Sequence, residues 1–116
     1  MKKTIISLAM AILFALTLTP FGFAKDGPDG NKRKGKYTYR KVYKACAERG
    51  EVDSKTPFLS PADKTMAQWK RLFEKEDFEE FKCQKEWNSL SEEDIQDIYS
   101  YLYNYAADSP SPAKCQ

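Results

Sequence analysis

The cysteines are the residues with the most chemistry to offer in this 116-residue chain, which has three cysteines and no histidine. They are Cys46, Cys83 and Cys115, and none belongs to a C-x-x-C motif. The lack of histidine excludes Ser-His-Asp and Cys-His catalysis and removes the commonest metal ligand in proteins. We therefore expect no enzyme and no metal site. Disulfide bonding is the main chemistry open to these thiols.

The first 24 residues have the pattern of a secretory signal peptide. Lys2 and Lys3 precede the apolar run 5–19, which is too short to span a bilayer comfortably. Gly22 and Ala24 supply the small residues of a cleavage site, and an uncleaved N-terminal anchor is the alternative. Export predicts a periplasmic or secreted protein that keeps its disulfides and has no membrane span after cleavage.

Charge is unevenly distributed along the remaining chain, although its total is balanced. Without Lys2 and Lys3, 17 basic residues of the original 19 face 17 acidic ones, which argues against a nucleic-acid binder. The range 25–49 has 9 basic and 3 acidic residues, whereas 74–97 has 10 acidic and 3 basic. This asymmetry predicts either oriented docking on a charged partner or charge complementarity between helices of the same fold.

The apolar spacing predicts an all-α domain of three to four helices over 35–116, after a flexible basic leader at 25–34. The first helix runs from Gly35 to about Arg49, with Gly50 as its C-cap. The second runs from the cap Ser60 to about Lys75, and a short third helix covers 77–81. The last begins after Ser91 and ends by 108, ahead of a Pro-rich tail.

The order of these features resembles the class I cytochrome c family over about 35–115. That family begins with a helix of the form G-K-x-x-Y-x-x-x-C-x-x-C-H, matched here by Gly35, Lys36 and Tyr39. Its last helix has the form L-S-x-x-[DE]-[IL]-x-x-[IV]-x-x-Y-L, matched by Leu90, Ser91, Asp94, Ile95, Ile98, Tyr101 and Leu102. The resemblance implies that the N- and C-terminal helices pack across each other.

The haem-attachment motif of that family is degenerate in this chain. Tyr43 stands at the first attaching cysteine, Cys46 at the second, and Ala47 at the proximal histidine. No methionine precedes the last helix at the distal position, and Met66 is predicted to lie in the core. Iron needs a strong axial donor, which alanine lacks, so we expect no cofactor. The alternative is haem c held by a single thioether at Cys46.

A vacated haem slot has to be filled, because an empty one costs too much stability. A pocket of about 300–1,000 Å³ costs roughly 7–24 kcal/mol when empty, against a domain stability of about 5–15 kcal/mol. Aromatic side chains are the candidates to fill it, unless they are ordinary core residues. They are Tyr43, Phe58, Trp69, Phe73, Phe78 and Trp87.

The favoured disulfide is Cys83–Cys115, and bridges from Cys46 are the open alternatives. A bridge between Cys83 and Cys115 would close a loop of about 33 residues, worth roughly 3–4 kcal/mol, and would dock the C-terminal tail. Cys46 would then be a free thiol, either as a small buried residue or as the single haem attachment.

These expectations favour an exported, non-catalytic docking or structural module. Through the cytochrome c resemblance, its expected partners are electron-transfer proteins. The alternative is a monohaem electron carrier attached through Cys46. A thiol-redox enzyme is not expected, because the chain has neither a C-x-x-C motif nor a histidine base.

Overall fold

The computed structural model describes residues 27–114, which form an all-helical globule without a β-strand in that range. Four α-helices follow one another along the chain. They are α1 (Lys32–Glu48), α2 (Met66–Glu74), α3 (Gln84–Asn88) and α4 (Glu92–Asn104). Short 3₁₀ turns at Pro61–Asp63 and Glu79–Phe81 lie between them. The all-α prediction is confirmed, while the closer likeness to cytochrome c stays a prediction. The predicted signal peptide and Cys115 lie outside the described residues.

Helix α1 begins earlier than the sequence predicted, because residues 32–34 belong to its first turn and not to a flexible leader. The side chain of Asn31 caps the helix by accepting the Lys34 N–H at 3.0 Å. The Asn31 N–H in turn donates to Asp97 Oδ1 at 2.7 Å, which ties this cap to α4. At the other end, the C-cap is Arg49, one residue earlier than predicted, and Gly50 follows it with φ +90°.

Helices α1 and α4 form the largest helix–helix contact of the described residues, and their backbones nearly touch. A Cβ atom placed on Gly35 would lie 1.8 Å from the Asp97 carbonyl oxygen. Only glycine fits at such an approach. The prediction that the first and last helices pack together is therefore confirmed, and Gly35 marks the crossing.

The predicted second helix is interrupted after its first turn. Ser60 caps the 3₁₀ turn Pro61–Asp63 as expected, but Lys64 is extended with φ −137° and ψ 159°. Thr65 then starts α2 with a capping box of its own, in which its hydroxyl and the Gln68 side chain satisfy each other's backbone N–H groups. Two successive capping signals thus divide one predicted helix into two elements.

The chain between α2 and α4 is built from short pieces. The predicted helix at 77–81 is a single 3₁₀ turn, and α3 forms in a stretch for which the apolar spacing predicted no helix. Glu76, Lys82 and Cys83 all have positive φ values between 53° and 56°. Non-glycine residues adopt this conformation at a cost, so the surrounding contacts must hold it in place.

A single aromatic core joins these pieces to α1 and α4. Of the predicted filling residues, Tyr43, Trp69, Phe73 and Trp87 are buried and Phe78 is half-buried, but Phe58 is 48% exposed. Phe81 takes the central place, stacked at 4.5 Å from the Trp87 ring and at 6.0 Å from the Trp69 ring, measured between centroids. Within residues 27–114, none of the helices has the length and apolar character needed to cross a membrane.

Candidate functional site

Cys46 and Cys83 form a disulfide in the centre of the molecule. Their Cα atoms are 5.7 Å apart, and neither residue has measurable exposure. This pairing corrects the favoured bridge from Cys83 to Cys115, because the Cys83 sulfur is already bonded. The stripe of α1 that faces the core carries Cys46 inward, where the turn before α3 presents Cys83.

Arg49 covers this disulfide from the solvent side. Its Nε and Nη2 atoms donate to the two carboxylate oxygens of Glu86 at 3.0 and 2.8 Å, and Nη2 also donates to Glu51 at 2.6 Å. The same Nη2 lies 3.9 Å from Cys46 Sγ. Hydrogen bonds from Arg49 lower the pKa of both carboxyl groups, and those bonds raise the pKa of the guanidinium.

The second oxygen of Glu51 holds the strained turn before α3. It accepts the backbone N–H of Cys83 at 2.7 Å. Because Cys83 has left-handed backbone angles, this hydrogen bond and the disulfide together fix a conformation that the residue would otherwise avoid. Arg49, Glu51 and Glu86 therefore support the disulfide, a role that no sequence motif indicates for any of them.

The residues at the predicted haem position do not fit a haem. The Cys46 sulfur is bonded to Cys83, so it has no free valence for a thioether. Ala47 has no donor atom. Tyr43 is fully buried, and its hydroxyl donates to the Phe81 carbonyl oxygen at 2.8 Å. Met66 begins α2, and its backbone N–H donates to Asp108. Tyr43 and Cys46 belong to the same buried cluster as Trp69, Phe81 and Trp87.

The disulfide and the neighbouring Glu86 also offer no free metal ligands. The two sulfurs and a Glu86 carboxylate oxygen lie within 4.8 Å of one another, a spacing that can hold a metal ion. The sulfurs, however, are bonded to each other, and both Glu86 oxygens accept hydrogen bonds from Arg49. The centre is therefore arranged as a covalent and ionic support for the fold.

A second candidate site is the solvent-exposed side of α1, opposite its buried stripe. The "basic face" is the set of exposed residues Arg33, Tyr37, Arg40, Lys41 and Lys44, together with the half-buried Lys36 at its edge. Tyr37 lies within it at 66% exposure, with the Lys41 ammonium 5.6 Å from its ring centroid. Tyrosine and arginine are among the residue types enriched at binding hot spots, and a cation is attracted to the face of an aromatic ring.

The charges of this face are not neutralised by the rest of the described chain. Lys34, at its edge, pairs with Glu93 at 3.6 Å and with Asp97 at 3.9 Å on α4. Within residues 27–114, no ion pair involves any of the five cations of the basic face. Charge complementarity between α1 and α4 thus accounts for Lys34 but leaves the other five charges directed at solvent.

A second exposed group of charges is acidic and lies at the end of α2 and in the segment that follows it. Glu74, Glu76, Asp77, Glu79 and Glu80 are all exposed there, and one of them, Glu80, pairs with Lys64 at 2.9 Å. The charged residues that make the sequence asymmetric therefore remain exposed in the folded chain at both places.

Comparison of the chain with protein-family models, with curated proteins and with solved structures finds no match.

Proposed function

We propose that this protein is an exported, non-catalytic docking module whose basic face binds an acidic surface of another protein. The observation that carries the proposal is the set of five cations around the exposed Tyr37 on α1 that form no ion pair with any residue of 27–114. Un-neutralised charge of one sign on one face steers association with a surface of the opposite sign and fixes the orientation of docking.

A docking role is favoured over catalysis by the state of the reactive groups. The chain contains no histidine, and the described cysteines are bonded to each other. The carboxylates with lowered pKa values, Glu51 and Glu86, are occupied by Arg49. No group in this arrangement is poised to act as a nucleophile or as a general base.

A protein partner is favoured over a lipid surface. A helix that lies in a membrane interface inserts a broad apolar face, but the apolar stripe of α1 is buried against the rest of the fold. The outward side of α1 has Tyr37 as its one large apolar group among the five cations. Through the cytochrome c resemblance, we propose that the partner is an electron-transfer protein with an acidic surface.

The test is a comparison of partner binding between two variants of equal charge. In the first, Arg33, Lys36, Arg40, Lys41 and Lys44 are replaced by Gln. In the control, a matched set of exposed cations is replaced by Gln instead. The control residues are Lys55, Lys70, Arg71, Lys75 and Lys114. Each protein is immobilised and exposed to the exported fraction of its source cells, and retained proteins are eluted with a salt gradient and identified.

The wild type and the control should both retain an acidic electron-transfer protein, and the basic-face variant should release it at much lower salt. The difference should shrink at high ionic strength, because exposed charges are screened beyond about 10 Å at 0.1 M salt. Equal elution of the two variants would contradict the docking surface. Retention of an acidic protein that takes no part in electron transfer would keep the surface and remove the proposed partner class.

A further inference from the structure

One edge of the basic face opens into a groove of about 490 Å³ between α1 on one side and α3 with the start of α4 on the other. The "α1–α3 groove" is lined by Val42, Ala45 and Leu90 on its apolar side and by Lys34, Lys41 and Lys85 on its cationic side. Val42 and Leu90 belong to the core or pack on it, while Ala45 is exposed. The groove therefore offers apolar surface next to positive charge.

The cations of the groove are more available than its acids. Glu86 also lines the groove, but both its oxygens accept from Arg49. Asp94 lines it too, and one of its oxygens accepts the Ser91 N–H at 3.3 Å. Within residues 27–114, neither Lys41 nor Lys85 has an ion-pair partner. The net charge offered to a ligand is therefore positive.

The dimensions fit a short peptide segment. The α1 residues of the groove run from Lys34 to Ala45, and this stretch of helix is about 16 Å long at 1.5 Å per residue. Tyr37 and Lys41 line the groove and also belong to the basic face, so a partner held by that face reaches the groove without a gap. A segment with acidic side chains on both sides of an apolar one would match this lining in charge and polarity.

We infer that the α1–α3 groove binds an acidic peptide segment of the partner, with one apolar side chain seated against Val42, Ala45 and Leu90. This inference rests on the proposed function, because it names the part of the partner that the docking surface binds. The apolar contact supplies the specificity, and the lysines supply attraction and orientation.

Binding of synthetic peptides tests the inference directly. The probe is a fluorescently labelled, Glu- and Asp-rich peptide with leucine at its centre, and its match has serine in place of leucine at the same net charge. Fluorescence anisotropy with the folded protein should show that the leucine peptide binds at least about tenfold more tightly than the serine peptide. This is the difference in affinity expected for one apolar side chain in a pocket. Equal binding of both peptides would overturn the apolar seat.

Two single substitutions on neighbouring residues separate the groove from the basic face as a whole. Ala45→Glu places a carboxylate in the groove at an exposed helical position, whereas Lys44→Glu changes the charge by one unit more but lies outside the groove lining. Ala45→Glu should weaken the leucine peptide by about tenfold and Lys44→Glu by less. Circular dichroism and thermal unfolding establish that both variants are folded.

The outcomes distinguish this inference from the proposal on which it rests. If partner binding depends on the basic-face cations while Ala45→Glu has no effect, the docking module stands and the groove is wrong. If neither the five-cation variant nor Ala45→Glu affects partner binding, both are wrong. Binding to phosphatidylserine vesicles together with no measurable peptide binding would also overturn the groove, since a membrane would then be the ligand of these cations.

Discussion

The α1–α4 crossing and the central segment 49–90 are held together by different means. At the crossing, two regular helices with side-chain caps approach so closely that Gly35 meets the Asp97 carbonyl group. The central segment has one helix of nine residues and otherwise only short turns and a five-residue helix. It depends on the disulfide, on the Arg49 hydrogen bonds and on stacked aromatic rings.

This difference indicates how stability is divided in a domain of this size. Regular helices satisfy their own backbone groups, so their contact needs only shape complementarity. Irregular segments lose more conformational entropy for each hydrogen bond that they form, and a covalent link reduces that cost by restricting the unfolded chain. The stability of the crossing should therefore be sensitive to substitutions that add side-chain volume. The stability of the central segment should be sensitive to loss of the disulfide or of its hydrogen bonds.

The largest expected effect at the crossing is that of Gly35→Ala. Helix propensity alone predicts that alanine stabilises by about 1 kcal/mol. The new Cβ, however, would meet the Asp97 carbonyl oxygen, so we expect a loss of about 3 kcal/mol or more, because the helices must separate. Urea unfolding followed by circular dichroism measures the change in free energy.

Gly50→Ala is the matched control for the crossing. Nothing lies within 4 Å of the Cβ at this position, but φ is +90°, so the cost is backbone strain of about 1–2 kcal/mol. An increase in stability for Gly35→Ala would show that α1 and α4 leave room for a Cβ atom at Gly35.

Removing the disulfide tests the central segment. The double variant Cys46→Ala/Cys83→Ala frees a loop between residues separated by 37 positions and should lower the free energy of unfolding by about 4 kcal/mol. Hydrogen exchange should show that amides of 49–90 lose protection before those of α1 and α4. Cys115→Ala is the control and should leave stability nearly unchanged. An equal loss for Cys115→Ala would favour a bridge to the tail, and non-reducing peptide mapping would identify it.

Alkaline pH should weaken the junction between the two regions. Burial raises the pKa values of Tyr39, Tyr43 and Tyr101, and it raises the pKa of Tyr99 to about 12. Because the pKa is higher in the folded state, the folded protein binds the tyrosine protons more tightly than the unfolded chain does. The contribution of these protons to the free energy of unfolding is complete below the unfolded-state pKa of about 10, and it is lost as the pH rises through the folded-state pKa. The urea midpoint should therefore fall steadily above about pH 10.

Tyr43→Phe sharpens that test because it removes one buried ionisable hydroxyl and keeps the ring. The variant should be less stable at neutral pH by about 1 kcal/mol, since the Phe81 carbonyl group loses its donor. Its stability should nevertheless decline less steeply than that of the wild type above about pH 10. Identical slopes for the two proteins would exclude Tyr43 as a source of the alkaline sensitivity.

The smallest effects are expected from the helix caps, one in each region. Ser91→Ala removes the cap of α4, and Thr65→Ala removes the cap of α2. Each should cost about 1 kcal/mol, and Ser91→Asp should restore most of the loss at α4. Hydrogen exchange should show a global effect for Ser91→Ala and a local one for Thr65→Ala. The reverse pattern would mean that α2, and not α4, belongs to the most stable part of the fold.

The sequence determined the regular part of this protein. The apolar stripe of α1, the Ser91 cap and the left-handed Gly50 just past α1 follow from local rules, so the all-α class and the ends of these helices are predictable to within a few residues. The charge asymmetry was also visible, because exposed charged residues remain on the surface when a chain folds.

Only the tertiary structure decided how the irregular part is joined. Three cysteines allow several pairings, and the choice depends on which Cα atoms come within about 6 Å, a distance set by the register of α1 against α3. The Arg49 hydrogen bonds to Glu86 likewise join residues distant in sequence, as does the stacking of the Trp69 ring on Phe81. The local sequence pattern also does not determine the exposure of Phe58 or the groove beside Lys41. Both depend on which segments the folded chain brings together.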